Sequence, residues 1–342
     1  FYGGASNAFA SCESPLMDVV GCDRIFRQAT AICVCTWMLL VTSVYAITPS
    51  DEWVYLQGKE REAAAGAVYV LVVALFFVLI HPLGMLQLHG THPGHTGSSR
   101  RSRTKWSGIL VAAVAVQCTA ISTNALLAWA PTVVKVDPIT GARVFLLRWC
   151  EWTPLAGLMT FLAEAVDLPR RNSGIRTRIN SALRQSLSCL FGLIFPFCPN
   201  PIVWSVCMTL SMVAYLGIFP RVWIKRQQFL RTPRGTSLIE TEQYDRIAFA
   251  YYLVLTCSIV WTVLVVFYGL QWFLIRYLFA DNLEHPLRQP HLAMTLDTIF
   301  DVLAKAMYMK LIVDVHRTVF DADGRTQRQL EELRRLTSIL WD

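Results

Sequence analysis

Charge is scarce in this 342-residue chain: Asp, Glu, Lys and Arg make up 16% of it, against 54% hydrophobic residues. A soluble chain carries about a quarter charged residues, and one of this length would usually divide into two or three domains. Chemical motifs are scarce too. The ten cysteines are scattered and form no CxxC, so neither a zinc ribbon nor a disulfide framework is indicated. There is no P-loop, no cyclase-like set of metal-binding carboxylates and no HD-type metal cluster, so any enzymatic activity would lie outside these residues. No secretory signal pattern opens the chain, because Asp18, Asp23, Arg24 and Arg27 precede the first apolar stretch. His89, His92 and His95 share a Gly/Pro loop without an acidic or cysteine ligand near, which reads as a solvated loop rather than a metal site.

What the chain does have is apolar residues, with mean hydropathy +0.42. They gather in eight blocks of roughly bilayer-spanning length: 29–47, 63–86, 107–130, 145–166, 181–197, 202–223, 247–274 and 292–315. The fifth is the poorest, being short, carrying Arg184 and ending at Pro196. Loop charges orient the set. Fourteen Lys and Arg residues lie in or at the edge of the loops after the second, fourth and sixth blocks, against six in the alternate loops. The positive-inside bias places the richer loops in the cytoplasm, and with eight spans both termini join them. Cys12 and Cys22 then lie on the reducing side. The formal net charge of +7 comes from these loops and gives no reason to invoke nucleic acid. The expected class is an all-α integral membrane protein whose first partner is the lipid bilayer.

Two blocks break the apolar pattern. The last carries Asp301-Val302-Leu303-Ala304-Lys305, an acid and an amine one turn apart on one helix face. An ionisable group at membrane depth costs roughly 2.5–3.5 kcal/mol even on lenient scales, so it is ordinarily paired and often functional. Lys305 could pair structurally with Asp301, snorkel to the interface, or form a Schiff base with an aldehyde. Snorkelling suits Lys310 better, one turn nearer the end of the block. The fourth block opens Arg148-Trp149-Cys150-Glu151-Trp152, and the topology brings it in from the same side as Asp301. An arginine, two carboxylates and a lysine would make a charge-balanced cluster. A buried structural ion network accounts for the charges but not for the aromatics around them.

These two phrases together resemble the microbial (type I) rhodopsins, in an Arg-x-x-acid-Trp pattern at Arg148, Glu151 and Trp152 and an Asp-x-x-x-Lys pattern at Asp301 and Lys305. The resemblance runs from Ala63 to about Val315. It implies a seven-helix retinal-binding bundle, with 29–47 as one extra N-terminal transmembrane helix. It also implies covalently bound retinal, all-trans or cis, as a protonated Schiff base on Lys305, with Glu151 the principal counterion, Asp301 the second and Asp297 a further acid on that face. Arg148 would offset the acids, since a cation in an apolar pocket keeps its proton only beside an anion. Trp152, Tyr268 and Trp272 are candidate pocket walls, and Trp204 opens a helix where the family places an aromatic. The segment 133–145, with Asp137-Pro138 and Gly141 between two β-prone runs, reads as the hairpin several members have.

Departures from the family narrow the reading. The pump's proton-donor position falls on Leu162, with Glu164 two residues out of register, and the channel's gating cysteine falls on Ala156. Leu155 replaces a usual hydroxyl, Gly157 and Gly269 replace usual prolines, and Val265 replaces a tryptophan. Eight spans resemble enzyme-linked rhodopsins and bestrhodopsins, which implies a fused or associated cyclase, phosphodiesterase or bestrophin-type channel and a homo- or hetero-oligomer. The division expected is 1–62 for the added helix and its flanks, 63–316 for the seven-helix domain and 317–342 for a cytoplasmic connector. In that connector, Leu330, Leu333, Leu336 and Leu340 stripe one face of a helix over 326–341. The expected function is a light-sensing photoreceptor module. A light-gated channel or weak pump is the alternative, and outside the family a transporter with a buried ion network.

Overall fold

The computed structural model describes residues 15–88, 108–139, 143–165, 175–233, 238–273 and 290–315, with side chains over 24–77, 108–139, 143–165, 176–233, 244–266 and 294–314. The expected connector helix, the three-histidine loop and the whole of 274–289 lie outside them. Long helices dominate what is described: α1 (Pro15–Ile47), α2 (Gly58–Leu88), α3 (Gly108–Trp129), α4 (Leu146–Ala165), α5 (Ile175–Ile194), α6 (Pro201–Leu216), α7 (Phe219–Arg231), α8 (Leu238–Phe273) and α9 (Pro290–Val315). Among the described residues, four segments are long and apolar enough to cross a membrane by length and composition: Arg24–Ile47, Gly108–Trp129, Pro201–Arg231 and Tyr244–Val266. Helices α4 and α9 interrupt their apolar sequence with the ionisable residues that build the site described below.

Every expected block has a helical counterpart, but the boundaries move. The block at 202–223 is two helices, α6 and α7, because Pro220 has no N–H to give the carbonyl of Leu216, one turn back. The amides of Gly217 and Ile218 instead bond to Ala214 and Tyr215, at 3.2 and 3.1 Å, which tightens the break. Asn200 caps α6, accepting from Ile202 N at 2.8 Å, and Pro201 follows as its first residue. Arg176, Arg178, Arg221 and Lys225 were expected in loops and instead extend α5 and α7. At about 1.5 Å per residue, the 36 residues of α8 span roughly 54 Å, well beyond a bilayer core of about 30 Å.

The expected hairpin forms and gains a strand. β2 (Thr132–Val136) pairs antiparallel with β3 (Arg143–Phe145), and β1 (Trp53–Val54) adds to the free edge of β2 with Trp53 opposite Val133. The Lys135–Glu52 ion pair ties β2 to the turn before β1, and Arg143–Glu60 (2.8 Å) holds this cap to the start of α2. The cap marks one end of the bundle, called the hairpin end below.

Helix α4 is the hub. Every residue of it except Trp149 is buried, the charged Arg148, Glu151 and Glu164 included. It packs on α1, α3, α5 and α8. Small residues let α5 come close: a Cβ on Gly157 would meet Ser186 Oγ at 2.2 Å, and one on Gly192 would meet the Trp149 ring at 2.2 Å. The front helix α1 is knitted into the bundle along its length. Phe26 meets Phe161 edge-on at 6.3 Å, Trp37 Nε1 donates to Thr123 Oγ1 at 3.1 Å, and Tyr45 donates to the Pro131 carbonyl at 2.6 Å.

Candidate functional site

Two helical spacings supply the site. On α9, Thr298, Asp301 and Lys305 lie on one face, at steps of three and four. On α4, Arg148, Glu151 and Trp152 share a face across one turn. Their helices bring these faces together in the interior, where Arg148, Glu151, Asp301 and Lys305 are each at most 3% exposed.

Lys305 Nζ sits between two carboxylates, donating to Glu151 Oε1 and to Asp301 Oδ1. Asp301 is the more heavily held. Its Oδ2 accepts from Arg148 Nη1 at 3.1 Å, and its Oδ1 also accepts from the Trp152 indole at 2.8 Å. Glu151 Oε2 has no hydrogen-bond partner among the described residues and lies 3.9 Å from Arg148 Nη1. Two neutral groups also accept from the arginine: Nη2 donates to Asn124 Oδ1 and to Thr298 Oγ1, both at 3.0 Å. The four ions sum to zero charge. Burying them is costly, and pairing with added neutral hydrogen bonds is what makes it tolerable.

Lys305 also lines a cavity. Trp152, Met159, Val260, Trp261, Leu264 and Tyr308 supply apolar and aromatic wall, with Asp301 and Lys305 at its polar end. Trp152 and Trp261 meet edge-on at 6.4 Å, and Trp149 backs Trp152 at 5.2 Å. A buried amine flanked by carboxylates on the wall of an aromatic-lined cavity suits an apolar aldehyde. Such a ligand needs a dry amine to condense with, an anion beside the resulting cation, and flat walls for its chain.

No protein-family model and no curated protein sequence matches the chain. Solved structures do. The transmembrane domain and linker region of Salpingoeca rosetta rhodopsin phosphodiesterase aligns with TM-score 0.55 and 12% identity, over 93% of this chain and 91% of that one. Thermophilic rhodopsin from Rubrobacter xylanophilus aligns with TM-score 0.50 and 14% identity, over 76% of this chain and 96% of that one.

The chain has the microbial-rhodopsin fold.

Within this rhodopsin fold, the residues expected from sequence divide by place. Arg148, Glu151, Trp152, Asp301 and Lys305 converge. Asp297 is buried one turn before Asp301. Trp204 does not line the cavity. It sits at the hairpin end, donating to Asp137 Oδ2 at 3.1 Å and packing on Phe195 at 5.8 Å, so its work there is to anchor the cap. The side chains of Tyr268 and Trp272 lie outside the described residues. On α8 it is Trp261, one turn before Val265, that reaches the cavity. Helical periodicity could have found it, since a step of four keeps a residue on the same face. Asn124 and Thr298 were also missed, and no local signal marks either as an arginine partner.

Proposed function

We propose that this chain is a light-sensing photoreceptor module that binds retinal covalently through Lys305. One observation carries the reading: a lysine amine, 3% exposed, held between Glu151 and Asp301 at the polar end of an aromatic cavity. Retinal, when bound, supplies light absorption and isomerisation. Lys305 Nζ would hold it, through the imine that an amine and an aldehyde form with release of water. Glu151 and Asp301 then supply the negative charge that keeps the linked nitrogen protonated. Arg148 limits their combined charge, and Trp152 and Trp261 flank the slot.

A sensor reading is supported over a pump by the side of the site facing away from the hairpin end. Leu162 occupies the position from which a proton would be returned. Glu164, the next acid along α4, is engaged by Arg221 at 2.6 Å and Lys225 at 3.7 Å. The front helix α1 and the breadth of likeness to a rhodopsin phosphodiesterase's transmembrane and linker regions favour a module coupled to an effector. Helix α1 in front of seven further apolar blocks favours eight spans, and the loop charges favour both termini cytoplasmic. The experiment is direct: express the chain with retinal and record its visible spectrum. A band abolished by Lys305→Ala supports the proposal, and a colourless wild-type protein overturns it.

A further inference from the structure

A buried hydroxyl stands between this site and the far end of the bundle. Tyr308 follows Lys305 by three residues on α9, is 1% exposed and lines the same cavity. It donates to the main-chain carbonyl of Met159 on α4, at 2.9 Å. Five residues later Glu164, fully buried, ties α4 to its other neighbours. Arg221 on α7 grips it through Nε (2.6 Å) and Nη2, with Lys225 Nζ at 3.7 Å, and Arg178 of α5 donates to its main-chain carbonyl at 2.6 Å.

We propose that Tyr308 is a coupling residue that carries displacement of α9 at Lys305 into α4, from which Glu164 passes it to Arg221 and helix α7. The inference rests on the reading of Lys305 as the light-responsive centre. Its physical basis is the contrast between directional bonds and apolar contact. A hydrogen bond weakens steeply as its geometry opens. A buried hydroxyl that loses its acceptor has no water to replace it, so α4 is driven to follow α9 rather than let go. Met159 and Glu164 are about 7.5 Å apart along one helix, at about 1.5 Å per residue, and an intact helix transmits that displacement as a rod. At its end the grip is charged and two-pronged, which resists sliding and rotation alike. Trp261 and Leu264 of α8 meet the cavity only as apolar wall, which can slip past a moving ligand.

The test uses the full chain with retinal in lipid nanodiscs, read by hydrogen-exchange mass spectrometry on Phe219–Arg231 in darkness and in continuous light. Wild type should show a several-fold light-induced rise in exchange across α7. Tyr308→Phe keeps the ring and removes only the bond, so the light response of α7 should be lost in the fraction of protein that still absorbs visible light, wherever its band lies. Arg221→Gln makes the same test from the other end, should Tyr308→Phe fail to fold. Its band and photocycle should survive, and its α7 response should vanish. A variant that keeps both its band and the full α7 response overturns the coupling, as does a photoactive wild type whose α7 ignores light. A wild type without a visible band overturns the retinal reading itself, and the coupling falls with it.

Discussion

Trp152 donates its indole N–H to Asp301 at 2.8 Å while its ring meets Trp261 edge-on in the cavity wall, so one side chain both lines the cavity and restrains a carboxylate. Binding and charge are therefore coupled at this residue. Trp152→Phe should keep most of the wall but free Asp301 Oδ1 of one donor. A shift of the visible band beyond that of a wall substitution elsewhere, read by absorbance after reconstitution, checks this.

Lys305→Ala should give no visible band with retinal at any pH. It also leaves two buried acids facing Arg148 alone. Removing one partner of a buried ion pair costs about 3–5 kcal/mol, and protonation of one acid would recover part of that. Thermal unfolding of the purified variant should show a lower midpoint that improves as pH falls.

The two carboxylates should separate on substitution. Glu151→Gln removes an anion that meets Lys305 and has one oxygen with no hydrogen-bond partner among the described residues, so the band should move to the red and lose its proton at lower pH than wild type. The sign follows because taking an anion from beside a cation favours the neutral form. Asp301→Asn should do the same and also destabilise the fold, since the amide keeps one acceptor oxygen where Asp301 offers one each to Arg148 and Trp152. Spectral titration paired with unfolding distinguishes the two residues.

Gly192 should prove sensitive although it touches no ligand. A methyl there would meet the Trp149 ring at 2.2 Å, and Trp149 backs Trp152. Gly192→Ala should cost about 1–3 kcal/mol from overpacking and shift the band. Trp149→Phe in the same chain should restore part of both, which a double-substitution series would read.

Illuminated vesicles should show no sustained proton transport. Leu162 offers no proton, and Glu164 is held by Arg221 and Lys225. A lasting light-driven pH gradient would contradict the sensor reading and leave retinal binding untouched.

The sequence alone was sufficient for whatever depends on neighbours along the chain. Apolar blocks of bilayer length and helical steps of three and four placed Asp301 with Lys305, and Arg148 with Glu151. Turn chemistry at Asp137-Pro138 marked the hairpin. Only the tertiary structure decided which helix faces meet. It set Arg148 against Asp301 across 153 positions, recruited Asn124 and Thr298, chose Trp261 as a cavity wall and sent Trp204 to the cap. The physical reason is that apolar helices in a bilayer are chemically alike on every face, with no hydrophobic gradient to rank them. The choice falls to close packing at small residues such as Gly157 and Gly192 and to the few polar bonds that buried groups must complete. Those are properties of pairs distant in sequence, and no local pattern records them.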